Sequence, residues 1–186
     1  MKKDDDAQGL EIATLAGGCF WCTEAVFEEL AGVANVESGY TGGDTSHPTY
    51  ERVCMGTTGH AEAVQVHFDP QVISYRDILE VFFATHDPTT PNQQGADIGS
   101  QYRSAIFYGS PEQREVAEGL IGELESKGFF GAPIVTEVSP LQEFWVAEGR
   151  HQDYYRQNPK QGYCRVVIDP KMAKFRAQYA DRLRRD

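Results

Sequence analysis

Cysteine is scarce: four in 186 residues are too few to staple a secreted disulfide scaffold. The opening Met-Lys-Lys-Asp-Asp-Asp lacks the apolar run that a secretory signal needs, so a reducing, cytoplasmic setting is expected. No apolar stretch approaches the length required to span a bilayer. Positive charge is also short, since 17 Lys and Arg against 28 Asp and Glu leave a net charge of −11. That balance repels nucleic acid and anionic lipid, and points to small molecules or proteins as partners. The histidines (His47, His60, His67, His86, His151) have no metal-ligand spacing, and Cys54 and Cys164 stand alone rather than in pairs. Zinc is therefore not expected, and neither is any other metal or a cofactor. Internal repeats and low-complexity segments are missing too. The end of the chain is locally basic: residues 171–186 hold six of the 17 Lys and Arg against two Asp. A solvated helix docked on an acidic body is the simplest reading of that tail.

Hydrophobic residues make up 40% of the chain and aromatics 11%, enough for one sizeable core. Residues 10–186 are expected to form a single domain with a basic C-terminal helix, and residues 1–9 a disordered tail. Strands are expected at Ile12–Ala16, Val33–Tyr40, Ala61–Phe68, Ser104–Tyr108 and Pro133–Val138. Helices are expected over Cys19–Leu30, from a Ser74 cap to His86, from Ser110-Pro111 to Lys127, over Phe144–Gln157, and after Asp169-Pro170. Gln113 suits a capping box with Ser110. A long loop follows Gly43, Asp87–Gln101 reads as a functional loop, and Tyr163–Ile168 is a further segment. The order strand-helix-strand-strand-helix-strand predicts an α+β fold with a ferredoxin-like two-layer core, a split βαβ with a mixed or antiparallel sheet and additional peripheral helices.

Within this frame Gly17-Gly18-Cys19-Phe20-Trp21-Cys22 is the most informative stretch. It places a cysteine where a strand turns into a helix, and unpaired backbone N–H groups and the positive end of the helix dipole favour a thiolate there. Cys19 is thus a candidate nucleophile, although an arbitrary cysteine is more often a small buried apolar residue. No histidine can be placed beside it from sequence, which disfavours a cysteine protease. Cys19 and Cys22 have C-x-x-C spacing, suited to oxidation of one thiolate and disulfide closure by the other. Phe20-Trp21 between them is more apolar than the usual thioredoxin pair and suits an apolar ligand. On the Ala61–Phe68 strand, Glu62 shares a face with Val64, Val66 and Phe68, where a carboxyl group must find hydrogen bonds, pair, or stay protonated.

Eight motifs, taken in order, carry a resemblance. They are Gly18-Cys19-Phe20-Trp21, Gly39-Tyr40-Thr41-Gly42-Gly43, Pro48-Thr49-Tyr50, Thr58-Gly59-His60-Ala61-Glu62, His86-Asp87-Pro88, Gln94-Gly95-Ala96-Asp97, Gly99-Ser100-Gln101-Tyr102-Arg103-Ser104 and His151-Gln152-Asp153-Tyr154. Together they resemble the A-type peptide-methionine sulfoxide reductases, from Leu10 to about Cys164. The resemblance implies a catalytic domain in which Cys19 attacks the sulfoxide sulfur. Glu62, Tyr50 and Tyr102 would hydrogen-bond the oxygen, with Glu62 as general acid. Asp97 would complete the polar side, and Phe20 and Trp21 would hold the S-methyl group. It also implies a Cys19 sulfenic acid, and reduced thioredoxin as electron donor.

Two departures stand out. Cys22 occupies a position that is often Gly in the family, while Gly162-Tyr163-Cys164 matches the place of a resolving cysteine. Two resolvers are therefore expected, in an order left open. Val166-Val167-Ile168 and a basic helix replace the common glycine-rich tail and are expected to restrict Cys164. Cys54 is taken as structural, and His47 stands where Asn is frequent. The expected reaction is reduction of the S epimer of methionine sulfoxide, free or in proteins. The alternative is a general thiol-disulfide oxidoreductase using Cys19 and Cys22, and a module that only binds oxidised methionine is a distant third.

Overall fold

A computed structural model describes residues 9–185. Most of the expected disordered tail, residues 1–8, lies outside the described residues. Strand β1 (Glu11–Gly17) leads through a two-residue turn into helix α1 (Phe20–Glu28), followed by β2 (Val33–Thr41), α2 (Tyr50–Cys54) and β3 (Ala61–Phe68). Helix α3 (Tyr75–Ala84) precedes a small hairpin of β4 (Gln93–Gln94) and β5 (Asp97–Ile98), then β6 (Ser104–Tyr108) and α4 (Pro111–Ser126). The chain ends with β7 (Glu137–Pro140), β8 (Trp145–Val146), α5 (Tyr154–Gln157) and α6 (Asp169–Gln178).

Six strands form one sheet in the order β7-β6-β1-β3-β2-β8. Neighbours run antiparallel except β6 and β7, which are parallel. The period-2 pattern of β3 sorts its side chains as the sequence predicts. Val64, Val66 and Phe68 enter the larger core with Phe27, Ile78, Leu79 and Phe82, while Ala61 and Ala63 face a smaller layer under Leu141 and Phe144. Each fully buried large apolar side chain contributes about 1.5–3 kcal/mol, so the helix-covered face supplies most of the stability.

Local chemistry explains the helix ends. Ser74 and Asp77 form a reciprocal capping box at α3, each side chain accepting the other's backbone N–H. At α4, Ser110 accepts from Gln113 N, but the Gln113 side chain accepts from Gly109 N and donates to Ile12 O instead of closing the expected box. The basic tail helix docks as expected: Met172 and Phe175 are buried, the Arg176 guanidinium grips the Glu29 carboxylate, and Arg182 pairs with Asp77 at 3.1 Å.

Several expectations fail, each for a visible reason. The helix expected over Phe144–Gln157 is instead the edge strand β8 on β2, a 3-10 turn at Gly149–His151, and the single turn α5. Gln152 breaks it by spending its side chain on Ser38 N, Ser38 O and Ala147 O, and Asp153 is left-handed at φ 53°. The strand expected at Pro133–Val138 forms later, at Glu137–Pro140, where it pairs in parallel with β6. The loop after Gly43 contains α2, capped by Thr49. Asp87–Gln101 contains the β4–β5 hairpin and runs into a 3-10 turn at Ser100–Tyr102. Tyr163–Ile168 is helical, with a π turn over Cys164–Ile168 running directly into α6.

Candidate active site

The turn between β1 and α1 puts Cys19 at the N-cap of α1, at the end of a central strand and with the residue only 8% exposed. Gly18 makes that turn possible: its φ is +97°, and a Cβ there would lie 2.6 Å from the Gln94 side chain. Gln94 in turn clamps the Asp87 backbone through both atoms of its amide. The glycine thus lets the hairpin bearing Asp97 lie directly over the Cys19 turn.

Glu62 comes to the same turn from β3 and is 1% exposed. Its Oε1 accepts from Phe20 N, whereas its Oε2 is buried without a partner among the described residues. Burial, with the charge of Asp97 adding to it, pushes the Glu62 carboxyl up to about 8. The group is therefore a neutral acid at physiological pH.

Tyr50 and Tyr102 line the same space. Burial and the neighbouring Cys54 and Glu62 push the Tyr50 phenol up, and burial and Glu62 do the same to Tyr102, so both remain O–H donors. Gln101 donates to Cys54 O at 3.2 Å, tying the turn that carries Tyr102 to the end of the helix that carries Tyr50. Phe20 stacks on Tyr50 with centroids 6.3 Å apart, and Trp21 lies parallel to Tyr154 at 3.7 Å. Tyr50 also stacks on Trp21 at 6.3 Å, so this hydroxyl donor belongs to the aromatic cluster at the start of α1.

The thiols of Cys19 and Cys22 are shifted in opposite directions. Burial, a hydrogen bond with Cys22 and the charge of Glu62 push the Cys19 thiol well above its ordinary value, and the Trp21 N–H at the helix start does not outweigh them. Cys22 is the more acidic partner, lowered to about 7 by its hydrogen bond with Cys19 in spite of burial, with Lys171 and Tyr163 assisting. Burial thus opposes the thiolate that the helix start favours at Cys19, and the hydrogen bond between the two thiols favours ionisation of Cys22. All four cysteines are free thiols, and Cys164 is fully buried in the π turn. Cys54 is half-buried at the end of α2.

Sequence reasoning missed the supports of this site. Trp21 Nε1 donates to His151 Nδ1 at 3.1 Å, which fixes the indole against a buried imidazole that burial keeps neutral. Glu148 accepts from the Tyr40 hydroxyl and from Tyr50 N, anchoring the first turn of α2. Burial disfavours its charge, but these hydrogen bonds and one from its own N–H hold the carboxyl below its ordinary value. Tyr163 donates to Asp97 Oδ2 at 2.6 Å. His151 does fall within one of the eight motifs, and Tyr163 adjoins Cys164; no spacing signal marked Glu148. His47 lies at φ 50°, a left-handed conformation that Asn tolerates best, and packs against Trp145. Among the described residues, Glu24, Glu28 and Asp153 bring carboxylate oxygens within 4.8 Å. Ser38 Oγ and Asp153 N already donate to Glu24, and burial raises Glu28 to about 8, so this group works as a hydrogen-bonded brace between α1 and the turn before α5.

With the geometry in view, the chain can be set beside known proteins. A family model described as Peptide methionine sulfoxide reductase matches residues 11–183. Peptide methionine sulfoxide reductase MsrA of Deinococcus radiodurans is 59% identical over 174 residues, covering 94% of this chain and 84% of that protein. The MsrA of Ralstonia nicotianae is 58% identical over 182 residues, covering 96% and 95%. Among solved structures, the reduced form of Mxr1 from Saccharomyces cerevisiae superposes with a TM-score of 0.77 at 36% identity, covering 88% of this chain and 92% of that one. Mxr1 in complex with Trx2 superposes with a TM-score of 0.55 at 26% identity, covering 83% and 89%. The chain belongs to the peptide methionine sulfoxide reductase family and is an oxidoreductase.

Proposed function

We propose that the protein reduces the S epimer of methionine sulfoxide, free or in proteins, with Cys19 as nucleophile and Glu62 as general acid. The observation that carries this reading is the buried, neutral Glu62 carboxyl beside a thiol at a helix start. The sulfoxide oxygen gains negative charge as the sulfur is attacked, so the Glu62 proton and the Tyr50 and Tyr102 hydroxyls, held in place beforehand, lower the barrier. Asp97 completes the polar side. Phe20 and Trp21 receive the methyl group, and apolar methyl contacts together with hydrogen bonds to the oxygen select the epimer whose sulfur faces Cys19. The electropositive sulfoxide sulfur favours the Cys19 thiolate, so the nucleophile is activated by its substrate. Oxygen passes from the sulfoxide to Cys19, giving methionine and a Cys19 sulfenic acid. A second thiol, Cys22 or Cys164, then condenses with it, releasing water and forming a disulfide.

Reduced thioredoxin restores the thiols in this reading, a role supported by the Mxr1–Trx2 complex. The order of β6, β1, β3 and β2, all antiparallel and joined through α1 and α3, is read as a ferredoxin-like split βαβ core. Residues 10–186 are read as one catalytic domain. No helix among the described residues is long and apolar enough to cross a membrane, and a cytoplasmic location remains part of the proposal. The test supplies both sulfoxide epimers with dithiothreitol and measures methionine. S-selective release is expected; disulfide reduction without methionine release would favour the thiol-disulfide oxidoreductase.

A further inference from the structure

We propose that Tyr163 is a positioning residue that latches the reduced active site and is withdrawn when Cys164 forms its disulfide. The Tyr163 hydroxyl donates to Asp97 Oδ2 at 2.6 Å and lies 3.9 Å from Cys22 Sγ, while its ring meets Trp21 edge-on with centroids 5.8 Å apart. One side chain thus touches the acidic hairpin, the second cysteine and the aromatic wall. Its backbone belongs to the segment that must move. Tyr163 N and Cys164 N both donate to Gln161 Oε1, at 2.8 and 3.2 Å, and Cys164 opens the π turn. Single π turns are less regular than α-helix and tend to occur where a helix does work.

Cys164 is buried, so it reaches the sulfenic acid only if this first turn shifts. Consecutive Cα atoms are fixed about 3.8 Å apart, and such a shift carries Tyr163 with it. The Asp97 hydrogen bond then breaks as the new S–S bond forms and water leaves Cys19. Sulfoxide is reduced while the latch is closed, and the thiol is resolved when it opens. This role rests on the reading of Cys164 as a resolver.

The test is Tyr163→Phe, which keeps the ring against Trp21 and removes the hydroxyl. With dithiothreitol as reductant, kcat/KM should fall about tenfold, the scale of a lost hydrogen bond to a carboxylate. Asp97→Asn added to it should cost no more than Asp97→Asn alone, because the hydroxyl acts through that carboxylate. After one equivalent of sulfoxide, the Cys164 disulfide should form several-fold faster than in the parent. Gln161→Ala, which frees the turn without touching Asp97, should also hasten disulfide formation while leaving methionine release unchanged. Additive losses, or unchanged disulfide rates in both variants at parental urea midpoints, overturn the latch. A parent enzyme in which mass mapping finds no Cys164 disulfide overturns the resolver reading, and the withdrawal of Tyr163 with it.

Discussion

The backbone N–H of Phe20 donates to Oε1 of Glu62 at 3.1 Å, across 42 residues of sequence. The bond fastens the start of α1 to β3 and uses one carboxylate oxygen as an acceptor. The acidic proton is thereby left to Oε2, the buried oxygen without a partner among the described residues. Glu62→Gln keeps the acceptor but has no proton to give, so first-turnover methionine release should fall on the order of a hundredfold below pH 8. The parent rate should itself decline as pH rises through about 8, where Glu62 ionises, and the Gln variant should lack that limb. Single-turnover rates that match the parent's across pH would remove the acid role. Stability carries the complementary sign. A raised carboxyl pKa makes the folded state the better proton binder between about 4.5 and 8, so stability declines over that window in the parent and less in Glu62→Gln.

The acidity of Cys22 gives a spectroscopic prediction. Ultraviolet thiolate absorbance should rise with a midpoint of about 7 in the resting enzyme. Cys22→Ser should abolish this rise and leave only the later ionisations of Cys19, Cys54 and Cys164, all of which burial pushes up. A transition that persists near neutral pH in Cys22→Ser would place the resting charge elsewhere.

Regeneration separates the two candidate resolvers. Cys22 and Cys19 lie within the first turn of α1, whereas Cys164 arrives through the π turn. Cys22→Ser and Cys164→Ser should each release the first methionine normally and each lose most thioredoxin-driven cycling. If both single variants cycle fully, the relay is not obligatory and the two thiols substitute for each other.

His86 sets an acid limit on the fold. Its ring lies against Gly17, one nitrogen bonds to Phe82 O and the other to Ser104 Oγ at 2.8 Å, and burial lowers its pKa to about 4. The unfolded chain takes up this proton at about 6.5 and the folded chain only near 4, so stability is present above 6.5 and is lost as pH falls toward 4. The linked change is about 3 kcal/mol at most. Urea unfolding between pH 7 and 4 should show that slope in the parent, and His86→Gln should flatten it. An equal slope in both would assign acid sensitivity to other groups.

The sequence made parts of this molecule legible because local rules decided them. β3 alternates strictly, α3 and α4 carry their caps, and a cysteine between two glycines and an aromatic pair can only mark a special turn. Glu62 stood out because a carboxyl shared a face with Val64 and Val66. What stayed hidden was set by distant contacts. Gln152, 114 residues from Ser38, breaks the helix its neighbourhood favours by hydrogen-bonding that strand. Glu148 and His151 serve the site through Tyr50 and Trp21, residues that no periodicity links to them. The ionisation of Cys19 has the same two sources: the helix start that favours a thiolate is local, but the burial that opposes it is tertiary.

Because the π turn at Cys164 continues into α6, whose far end is pinned by Met172, Phe175 and the Arg176–Glu29 pair, the helix resembles a spring clamped at one end. If Cys164 resolves the sulfenic acid, freeing it would melt a few hydrogen bonds of a folded element instead of redirecting a slack tail. Local melting absorbs heat and sulfoxide chemistry need not, so the two half-cycles should respond differently to temperature. Cold should stall the enzyme in its oxidised-cysteine form before the disulfide closes, and warming should hand control of turnover back to the chemistry.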